Sequence, residues 1–587
     1  MSVTPRATGT LLRHLRHAAV MLAGALALAP VVKADDAPVQ ATREMVVSAN
    51  PYASEAGLQI LQAGGGAVDA AIAVQLVLTL VEPQSSGVGG GAFMLFYAAP
   101  SDTAAGKITA YEGRETAPAA ATPDMFLDAD GRPESFPAVG VGGLAVGVPG
   151  VMRMLELAHD EHGRLPWSAL FAPAISLAKQ GFPISPRLYS LLNGFKRFAR
   201  GEKFRAYFYD ADGNPHPVGY TLVNPELAAA LELLAAQGAE PLYTGELADE
   251  IVHAVRENSV RPGRMTREDL AAYQAHESEP LCSDYRAWRI CGPQLPSSGG
   301  VTMAETLGML RDFDLAELKN QPVTAIHLIA EASRLAFADR NFYLGDPRFV
   351  SPPVAALTSE RYLDRRAGLI DLKKAMPTVS PGNPEPGTAW NLAAVDPAER
   401  PSTSHFSIVD RWGDAVSMTT SVQGAFGSQL MVGGFILNNQ LTDFSFAPEA
   451  DGKPVANRIQ GGKQPLSSMN PTVVLDRRGR LRMLVGSPGG TRIIGFVTQA
   501  VVSVLDWGMN IQQAVAAPHF LAEEGPIELE QGTPITADRK ALEALGHTVA
   551  VRNLNSGLHG ITIEYTDHGH VLSGGVDPRR EGKAVGD

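Results

Sequence analysis

Two short alternating segments joined by a turn constrain the fold of this chain more than any other feature. Residues 403–409 (TSHFSIV) and 415–421 (AVSMTTS) each alternate with a period of two, and Arg411-Trp412-Gly413-Asp414 separates them. A period of two places alternate side chains on opposite faces of a strand, and a short turn between two such strands makes a hairpin. The sequence therefore predicts an antiparallel sheet whose first strand begins at Thr403.

A proline-rich stretch precedes this hairpin. Residues 376–400 show no sustained period and contain scattered small polar residues together with Pro377, Pro381, Pro384, Pro386 and Pro397. Such a segment forms neither a helix nor a central strand. We interpret it as a loop or a processing segment that ends just before Thr403.

Helical and strand-like patterns alternate along the rest of the chain, which is typical of an α/β protein. Residues 67–80 are strongly apolar but too short to cross a bilayer, so they predict a buried helix. With 45% hydrophobic and 19% charged residues, the 587-residue chain can bury a large core. A net charge of -13 excludes a protein that binds nucleic acid through a basic face.

The first 34 residues have the pattern of a signal peptide. Three arginines within the first 16 residues precede an apolar run over 18–32, and Val32-Lys33-Ala34 provides a small-residue cleavage site before Asp35. The alternative is a membrane anchor, but the apolar run is shorter than the roughly 20 residues of a bilayer span. We expect a periplasmic or secreted protein with no membrane span after residue 34.

The chain contains two cysteines, Cys282 and Cys291. In an exported protein they can close a small disulfide, and two buried thiols are the alternative. Neither has a neighbouring pattern typical of a cysteine nucleophile. His568 and His570 lack further ligands at metal spacing, and we expect neither a metal nor another cofactor.

Several glycine-rich or polar motifs remain. They are Val81-Glu82-Pro83-Gln84-Ser85-Ser86-Gly87, Gly113-Arg114-Glu115-Thr116-Ala117-Pro118, Pro296-Ser297-Ser298-Gly299-Gly300, the strand at Thr403, Pro465-Leu466-Ser467-Ser468-Met469 and Gly486-Ser487-Pro488-Gly489-Gly490-Thr491-Arg492. In these motifs the sequence resembles the γ-glutamyltransferase (glutathione hydrolase) family of N-terminal nucleophile (Ntn) hydrolases. The resemblance covers about residues 45–580.

The resemblance implies an αββα sandwich, in which helices flank two central antiparallel sheets. It also implies a precursor that cuts itself between Ser402 and Thr403, giving a large subunit of residues 35–402 and a small subunit of residues 403–587 that stay together as a heterodimer. The cut has a chemical purpose, because it gives Thr403 a free amine. An N-terminal amine has a pKa of about 7.7–8.0 and can act as the general base for the threonine hydroxyl.

The family pattern also implies a role for each matching residue. Thr403 is the nucleophile, Ser421 supports it from a position where a threonine is common, and Gly489 and Gly490 supply the oxyanion-hole donors. The α-carboxylate of a γ-glutamyl group is expected to bind the residues that match the family's carboxylate site, which are Arg114, Ser467 and Ser468. The α-ammonium is expected to bind Gln440 and Asp443.

The substrates implied are glutathione and related γ-glutamyl compounds, with water or an amine as the acceptor. Gln423 is expected to bind substrate as well, because it stands where an asparagine that contacts the substrate carboxylate is common. This longer side chain and the lack of a tyrosine between Asp443 and Pro465 are two departures from the family pattern that bear on the expected substrate. A cephalosporin or glutaryl amide acylase is the alternative within the same chemistry. A non-catalytic periplasmic binding protein is the alternative from another class.

Overall fold

Two seven-stranded antiparallel sheets form the centre of the protein. The structure is a computed structural model that describes residues 37–101, 105–394, 402–567 and 569–587. The predicted signal peptide, residues 1–34, lies outside the described residues, as does His568.

The strands are, in chain order, β1 (Val39–Ala41), β2 (Met45–Ser48), β3 (Gly91–Ala98), β4 (Lys107–Gly113), β5 (Phe182–Pro183), β6 (Thr221–Leu222), β7 (His276–Ser278), β8 (Leu281–Tyr285), β9 (Trp288–Gly292), β10 (Ser404–Val409), β11 (Ala415–Ser421), β12 (Met431–Val432), β13 (Phe435–Ile436), β14 (Glu449–Ala450), β15 (Lys453–Pro454), β16 (Thr472–Asp476), β17 (Leu481–Gly486), β18 (Phe520–Leu521), β19 (Ile527–Glu530), β20 (Val549–Arg552), β21 (His559–Thr566), β22 (Gly569–Val576) and β23 (Lys583–Gly586).

The α-helices are α1 (Pro51–Gln62), α2 (Ala67–Val81), α3 (Phe136–Val139), α4 (Val151–His162), α5 (Ala172–Gln180), α6 (Pro186–Phe195), α7 (Glu202–Phe208), α8 (Pro225–Gln237), α9 (Glu246–Arg256), α10 (Arg267–Ala271), α11 (Gly299–Leu310), α12 (Pro322–Tyr343), α13 (Val354–Leu357), α14 (Glu360–Ala367), α15 (Arg492–Leu505), α16 (Ile511–Ala516) and α17 (Arg539–Ala544). Short 3₁₀ helices lie at Trp167–Phe171, Lys196–Phe198, Glu240–Leu242, Glu317–Asn320, Gln440–Asp443 and Pro534–Asp538.

The first sheet has the strand order β23-β2-β10-β11-β3-β4-β7, and the second has the order β1-β22-β21-β17-β16-β9-β8. All neighbouring strands in both sheets are antiparallel. Each sheet contains strands from before and after Thr403. The predicted large and small subunits are therefore interleaved in both sheets.

Helices cover the outer face of each sheet. On the first sheet α1 packs against β2, and α2 packs against β10 and β11. On the second sheet α11 packs against β8 and β9, and α15 packs against β17. All 15 residues of α2 are buried, which explains why the helix is apolar on every side. The predicted αββα layering of an α/β protein is thus confirmed.

The two sheets face each other across a shared apolar layer. Met45 and Val47 of β2 point into this layer together with Leu484 of β17 and Ile561 of β21, while Val46 points outward to the helices. The alternation follows from the pleat, which sends successive side chains to opposite faces. The layer fixes the distance between the sheets and hence the position of every loop at their ends.

The predicted hairpin is confirmed and lies at the centre of the first sheet. Ser404 of β10 is paired with Thr420 of β11, and β2 and β3 flank the pair. Both strands are buried throughout, so their polar positions do not face solvent. Instead, His405 Nδ1 is 2.9 Å from Thr419 Oγ1 in the space between the sheets. The alternation in sequence therefore reflects polar side chains that these two strands point into the otherwise apolar layer between the sheets.

Cys282 and Cys291 lie opposite each other in the β8–β9 pair, and their Sγ atoms form a disulfide. Between residues 376 and 394 of the proline-rich segment the structure has no helix or strand, and Ala393 makes an isolated bridge to Val455. Among the described residues, no helix is both long and apolar enough to cross a membrane.

We expect Ile561→Ala to lower the free energy of unfolding by about 3 kcal/mol, because it leaves a cavity in the layer between the sheets, where Ile561 is fully buried. Chemical denaturation measures the change. Val39→Ala, at a side chain that is 45% exposed, is the control and is expected to change stability by less than about 0.5 kcal/mol. Equal effects of the two substitutions would contradict the assignment of this layer as the core.

Candidate active site

Thr403 lies directly before β10, at the end of the two central strands of the first sheet, and Ser421 ends β11 beside it. Thr403 Oγ1 lies within hydrogen-bond distance of two acceptors for its one proton, Ser421 Oγ at 3.1 Å and the carbonyl oxygen of Ser402. Ser421 Oγ donates to the same carbonyl at 3.0 Å. Two hydroxyls therefore point at the carbonyl of the peptide bond that the sequence predicts to be cut.

The backbone after β11 holds Ser421 in place. The amide N–H of Gln423 donates to Ser421 Oγ at 2.9 Å. Gln423 has φ +77, a left-handed conformation that is uncommon for a residue with a side chain. Such conformations persist where the surrounding structure fixes them and concentrate at functional sites.

The glycine-rich turn after β17 reaches the same point from the second sheet. Gly489 has φ +147 and Gly490 has φ +64, so both occupy conformations that favour glycine. A Cβ atom on Gly489 would also lie 2.9 Å from Phe496 Cε2. Gly490 lines a cavity with Thr403, and Gly489 precedes it in the same turn.

This cavity is small. It is lined by Ser402, Thr403, Ser421, Gln423, Gln440, Asp443, Ser467, Met469, Gly490 and Ile493. Seven of the residues assigned from the sequence to catalysis or binding thus surround one space, together with Ser402.

A buried carboxylate forms the charged end of the cavity. Asp443 accepts hydrogen bonds from Arg114 Nη2 at 2.7 Å, Gln440 Nε2 at 2.6 Å and Gln423 Nε2 at 2.7 Å. Among the described residues, the two buried amide oxygens, Gln423 Oε1 and Gln440 Oε1, have no hydrogen-bond partner. Unsatisfied buried acceptors are costly, and their position beside a carboxylate suits a ligand that donates hydrogen bonds and carries positive charge.

Arg114 lies behind the cavity wall and reaches the site through Asp443. It follows β4, is fully buried, and also donates to the carbonyl oxygens of Pro465 and Leu466 at 3.0 and 2.9 Å. Of the two adjacent serines, Ser467 lines the cavity, and Ser468 Oγ accepts from Arg340 Nη2 at 2.8 Å. The arginine and both serines therefore belong to one connected wall.

Sequence reasoning did not single out Glu115 or Arg340. Burial raises the pKa of the Glu115 carboxyl to about 8, although Arg114 lies 3.5 Å away. Glu115 is thus mainly protonated and uncharged at neutral pH. The carboxylate that pairs with the charge of Arg114 is therefore that of Asp443. Arg340 joins Ser468 to Ser298 of the 296–300 motif. Arg340 is one of several charged residues in α12, beside Glu331 and Asp339, so no local pattern distinguished it.

In the part of the chain that the structure describes, no three His, Cys, Asp or Glu side chains are grouped as metal ligands would be. The polar side chains that line the cavity carry hydroxyls, amides and one carboxylate. These groups suit nucleophilic attack on a carbonyl carbon.

Two stacked antiparallel sheets with a threonine at the head of a central strand define the Ntn-hydrolase fold. The crystal structure of cephalosporin acylase from Bacillus halodurans is similar to this chain, with a TM-score of 0.82 and 28% identity. The match covers 94% of this chain and 97% of that one. The predicted fold class is thereby confirmed.

The Gamma-glutamyltranspeptidase family profile matches residues 53–587, and the chain belongs to this family. A Glutathione hydrolase proenzyme from Escherichia coli (strain K12) is 38% identical over 557 residues, which are 92% of this chain and 91% of that protein. An Acylase ACY 1 proenzyme from Pseudomonas sp. (strain SE83) is 35% identical over 519 residues, 87% of this chain and 88% of that protein. The family resemblance inferred from the motifs is confirmed.

We expect Ser421→Ala to slow cleavage before Thr403 by about 100-fold, because it removes a hydroxyl donor from the Ser402 carbonyl. Denaturing electrophoresis of freshly purified precursor over time measures the rate. Ser417→Ala is the matched control, because Ser417 is buried on the same strand and its hydroxyl has no hydrogen-bond partner in the part of the chain that the structure describes. Cleavage of the Ser421 variant at the control rate would show that this donor is not needed.

Proposed function

We propose that this protein is an autoprocessing γ-glutamyltransferase and glutathione hydrolase. It cuts itself before Thr403, then transfers the γ-glutamyl group of glutathione and related compounds to water or to an amine. The observation that carries the proposal is the group of acceptors formed by Asp443 with the free oxygens of Gln423 and Gln440. A γ-glutamyl group brings an α-ammonium to match them.

Self-cleavage follows from the contact between the Thr403 hydroxyl and the Ser402 carbonyl. Thr403 Oγ1 attacks the carbonyl carbon, the C–N bond to Thr403 breaks, and the nitrogen takes the proton that the hydroxyl released. The result is an ester between Ser402 and Thr403 Oγ1, which water hydrolyses to free both the hydroxyl and the amine. Ser421 donates to the carbonyl oxygen, where negative charge develops during attack.

The mature site repeats this chemistry on a substrate amide. The Thr403 amine accepts the hydroxyl proton as Oγ1 attacks the γ-carbonyl carbon, and the backbone N–H groups of Gly489 and Gly490 receive the oxyanion. The departing amine takes the proton, leaving a γ-glutamyl ester on Thr403. Water or an acceptor amine then attacks this ester and restores the free hydroxyl.

In the substrate complex, two charge pairs between protein and substrate replace the pair between Arg114 and Asp443. Without substrate, Arg114 and Asp443 pair at 2.7 Å. A γ-glutamyl group carries both charges, so its α-carboxylate can take the arginine fork, with Ser467 and Ser468 beside it, while its α-ammonium takes Asp443. The charge balance of the buried site is the same before and after binding.

A glutaryl amide acylase is the second candidate, and two similar proteins favour it. The Acylase ACY 1 proenzyme is 35% identical to this chain, and the cephalosporin acylase structure matches it with a TM-score of 0.82. A glutaryl group has no ammonium, however, and would leave the Asp443 carboxylate and both amide oxygens without their ligand. The acceptor group therefore supports the glutamyl substrate.

The proposed location is the periplasm or the exterior, which rests on the signal-peptide pattern of residues 1–34. The interleaved sheets support a heterodimer of the two fragments after the cut.

We expect purified protein to run as two bands, with the smaller fragment beginning Thr-Ser-His-Phe and spanning residues 403–587. Thr403→Ala should leave one full-length band and no hydrolysis of γ-glutamyl-p-nitroanilide, since it removes the nucleophile. Thr420→Ala is the control and should still be cut, because it removes a buried hydroxyl of β11 that has no hydrogen-bond partner within the described ranges. A full-length wild-type band would favour the non-catalytic binding protein.

We expect the wild type to prefer γ-glutamyl-p-nitroanilide over its glutaryl analogue, and Asp443→Asn to raise the glutaryl-to-glutamyl ratio of kcat/KM by about 100-fold. This corresponds to ~3 kcal/mol for a buried ammonium that loses its carboxylate. Asp476→Asn, at the end of β16, should leave the ratio unchanged. A wild-type preference for glutaryl would decide for the acylase.

A further inference from the structure

Arg580 lies on the segment that crosses from the second sheet to the first. This segment, residues 577–582, joins β22 to β23. Arg580 belongs to none of the motifs that carry the family resemblance, and it lies outside the cavity lining. Its guanidinium nevertheless reaches the back of the nucleophile, where Arg580 Nη1 donates to the carbonyl oxygen of Thr403 at 3.0 Å.

The neighbouring backbone is shaped to hold this side chain. Arg580 Nε donates to the carbonyl oxygen of Ser556 at 2.5 Å. A Cβ atom on Gly557 would lie 2.6 Å from Arg580 Cδ, so the guanidinium fits only because residue 557 is a glycine. Arg580 is 9% exposed. The side chain is thus fixed at both ends of its guanidinium.

The charge of Arg580 is not cancelled by an ion pair within the described residues. Asp577, in the same turn, binds Arg579 at 3.0 Å and accepts from the backbone of Leu558 at 3.1 Å. Glu82, at the end of α2, lies 4.0 Å from Arg187 of α6. The acids nearest to Arg580 therefore bond to other groups, and they act on Arg580 only through the charges of Glu82 and Asp577, which favour the charged guanidinium.

Three other titratable groups face this region. Burial lowers the pKa of His559 in β21 to about 4, which keeps it neutral. Glu581 accepts from the backbone of Arg187 at 2.9 Å, and Asp443 lies across the cavity in its own hydrogen-bond group. Burial lowers the pKa of Arg580 to about 9, so the guanidinium still carries its charge at neutral pH.

We propose that Arg580 is a positioning residue for Thr403, which holds the carbonyl of the nucleophile and places a fixed positive charge beside the amine that the cut releases. This inference rests on the proposed function, because it concerns the amine of the cleaved enzyme. A nearby positive charge disfavours the ammonium form. The amine therefore stays unprotonated at neutral pH and can accept the hydroxyl proton.

The test is the pH dependence of kcat/KM for γ-glutamyl-p-nitroanilide, whose acidic limb reports the general base of the free enzyme. We expect the limb of wild type to lie below the ordinary amine value of about 7.7–8.0. In Arg580→Met it should move up by about one pH unit, because the charge is gone. Arg580→Lys keeps the charge and should stay near the wild-type limb with a lower kcat.

Arg579→Met is the matched control. Arg579 lies in the same turn as Arg580, but it binds Glu530 and Asp577 and not Thr403. The acidic limb of the pH profile of this variant should therefore stay at the wild-type position. A merely structural role for Arg580 would lower the activity of Arg580→Met equally at every pH. An unmoved limb in that variant overturns the inference.

A second measurement uses the wild type alone, and it tests the inference even if the Arg580→Met variant does not fold. Competitive labelling of cleaved wild type with acetic anhydride, read by mass spectrometry of the peptide that begins at Thr403, gives the pKa of the amine. A value below about 7.7 supports the inference, and a value at or above it overturns the inference. Cleavage and turnover by wild type test the proposed function separately, so the two failures are distinguishable.

Discussion

The buried carboxylate of Asp443 holds the site together. It receives hydrogen bonds from Arg114 after β4, from Gln423 after β11 and from Gln440 in its own 3₁₀ helix. A buried carboxylate is costly unless it is compensated, so these three donors must all be in place when the protein is folded. The requirement ties the ends of several strands to one point, a short distance from Thr403. Because the amide nitrogens of Gln423 and Gln440 bind Asp443, their amide oxygens face the place where a ligand would bind.

Local patterns were enough to predict the elements that carry the site. The period of two over residues 403–421 predicted the central hairpin, and the apolar run over residues 67–80 predicted the buried helix α2. The glycines at 489 and 490 occupy positive φ values that a glycine pair makes easy. Each of these features is decided by neighbours in the chain, and a single sequence displays such features directly.

The assembly of the site could not be predicted from local patterns. Arg114 and Asp443 are 329 residues apart in the chain, and only the family resemblance brought them together beforehand. Glu115 and Arg580 were missed because their importance lies in long-range contacts. Arg580 touches Thr403 across 177 residues through a turn between the two sheets, and no periodicity marks such a contact. The polar layer around His405 was likewise hidden, since an inward-facing polar residue looks like a solvent-facing one.

The interleaving of strands has a consequence for the lifetime of the enzyme. The first sheet takes β2, β3, β4 and β7 from before the cut and β10, β11 and β23 from after it. While the chain is whole, these strands find each other within one molecule. After the cut, a molecule that unfolds releases two chains, and its recovery becomes a bimolecular search by fragments that each expose unpaired strand edges. The uncut precursor could refold after unfolding, whereas the cut protein would refold poorly. After activation, the lifetime of the folded protein would thus depend on a slow rate of unfolding.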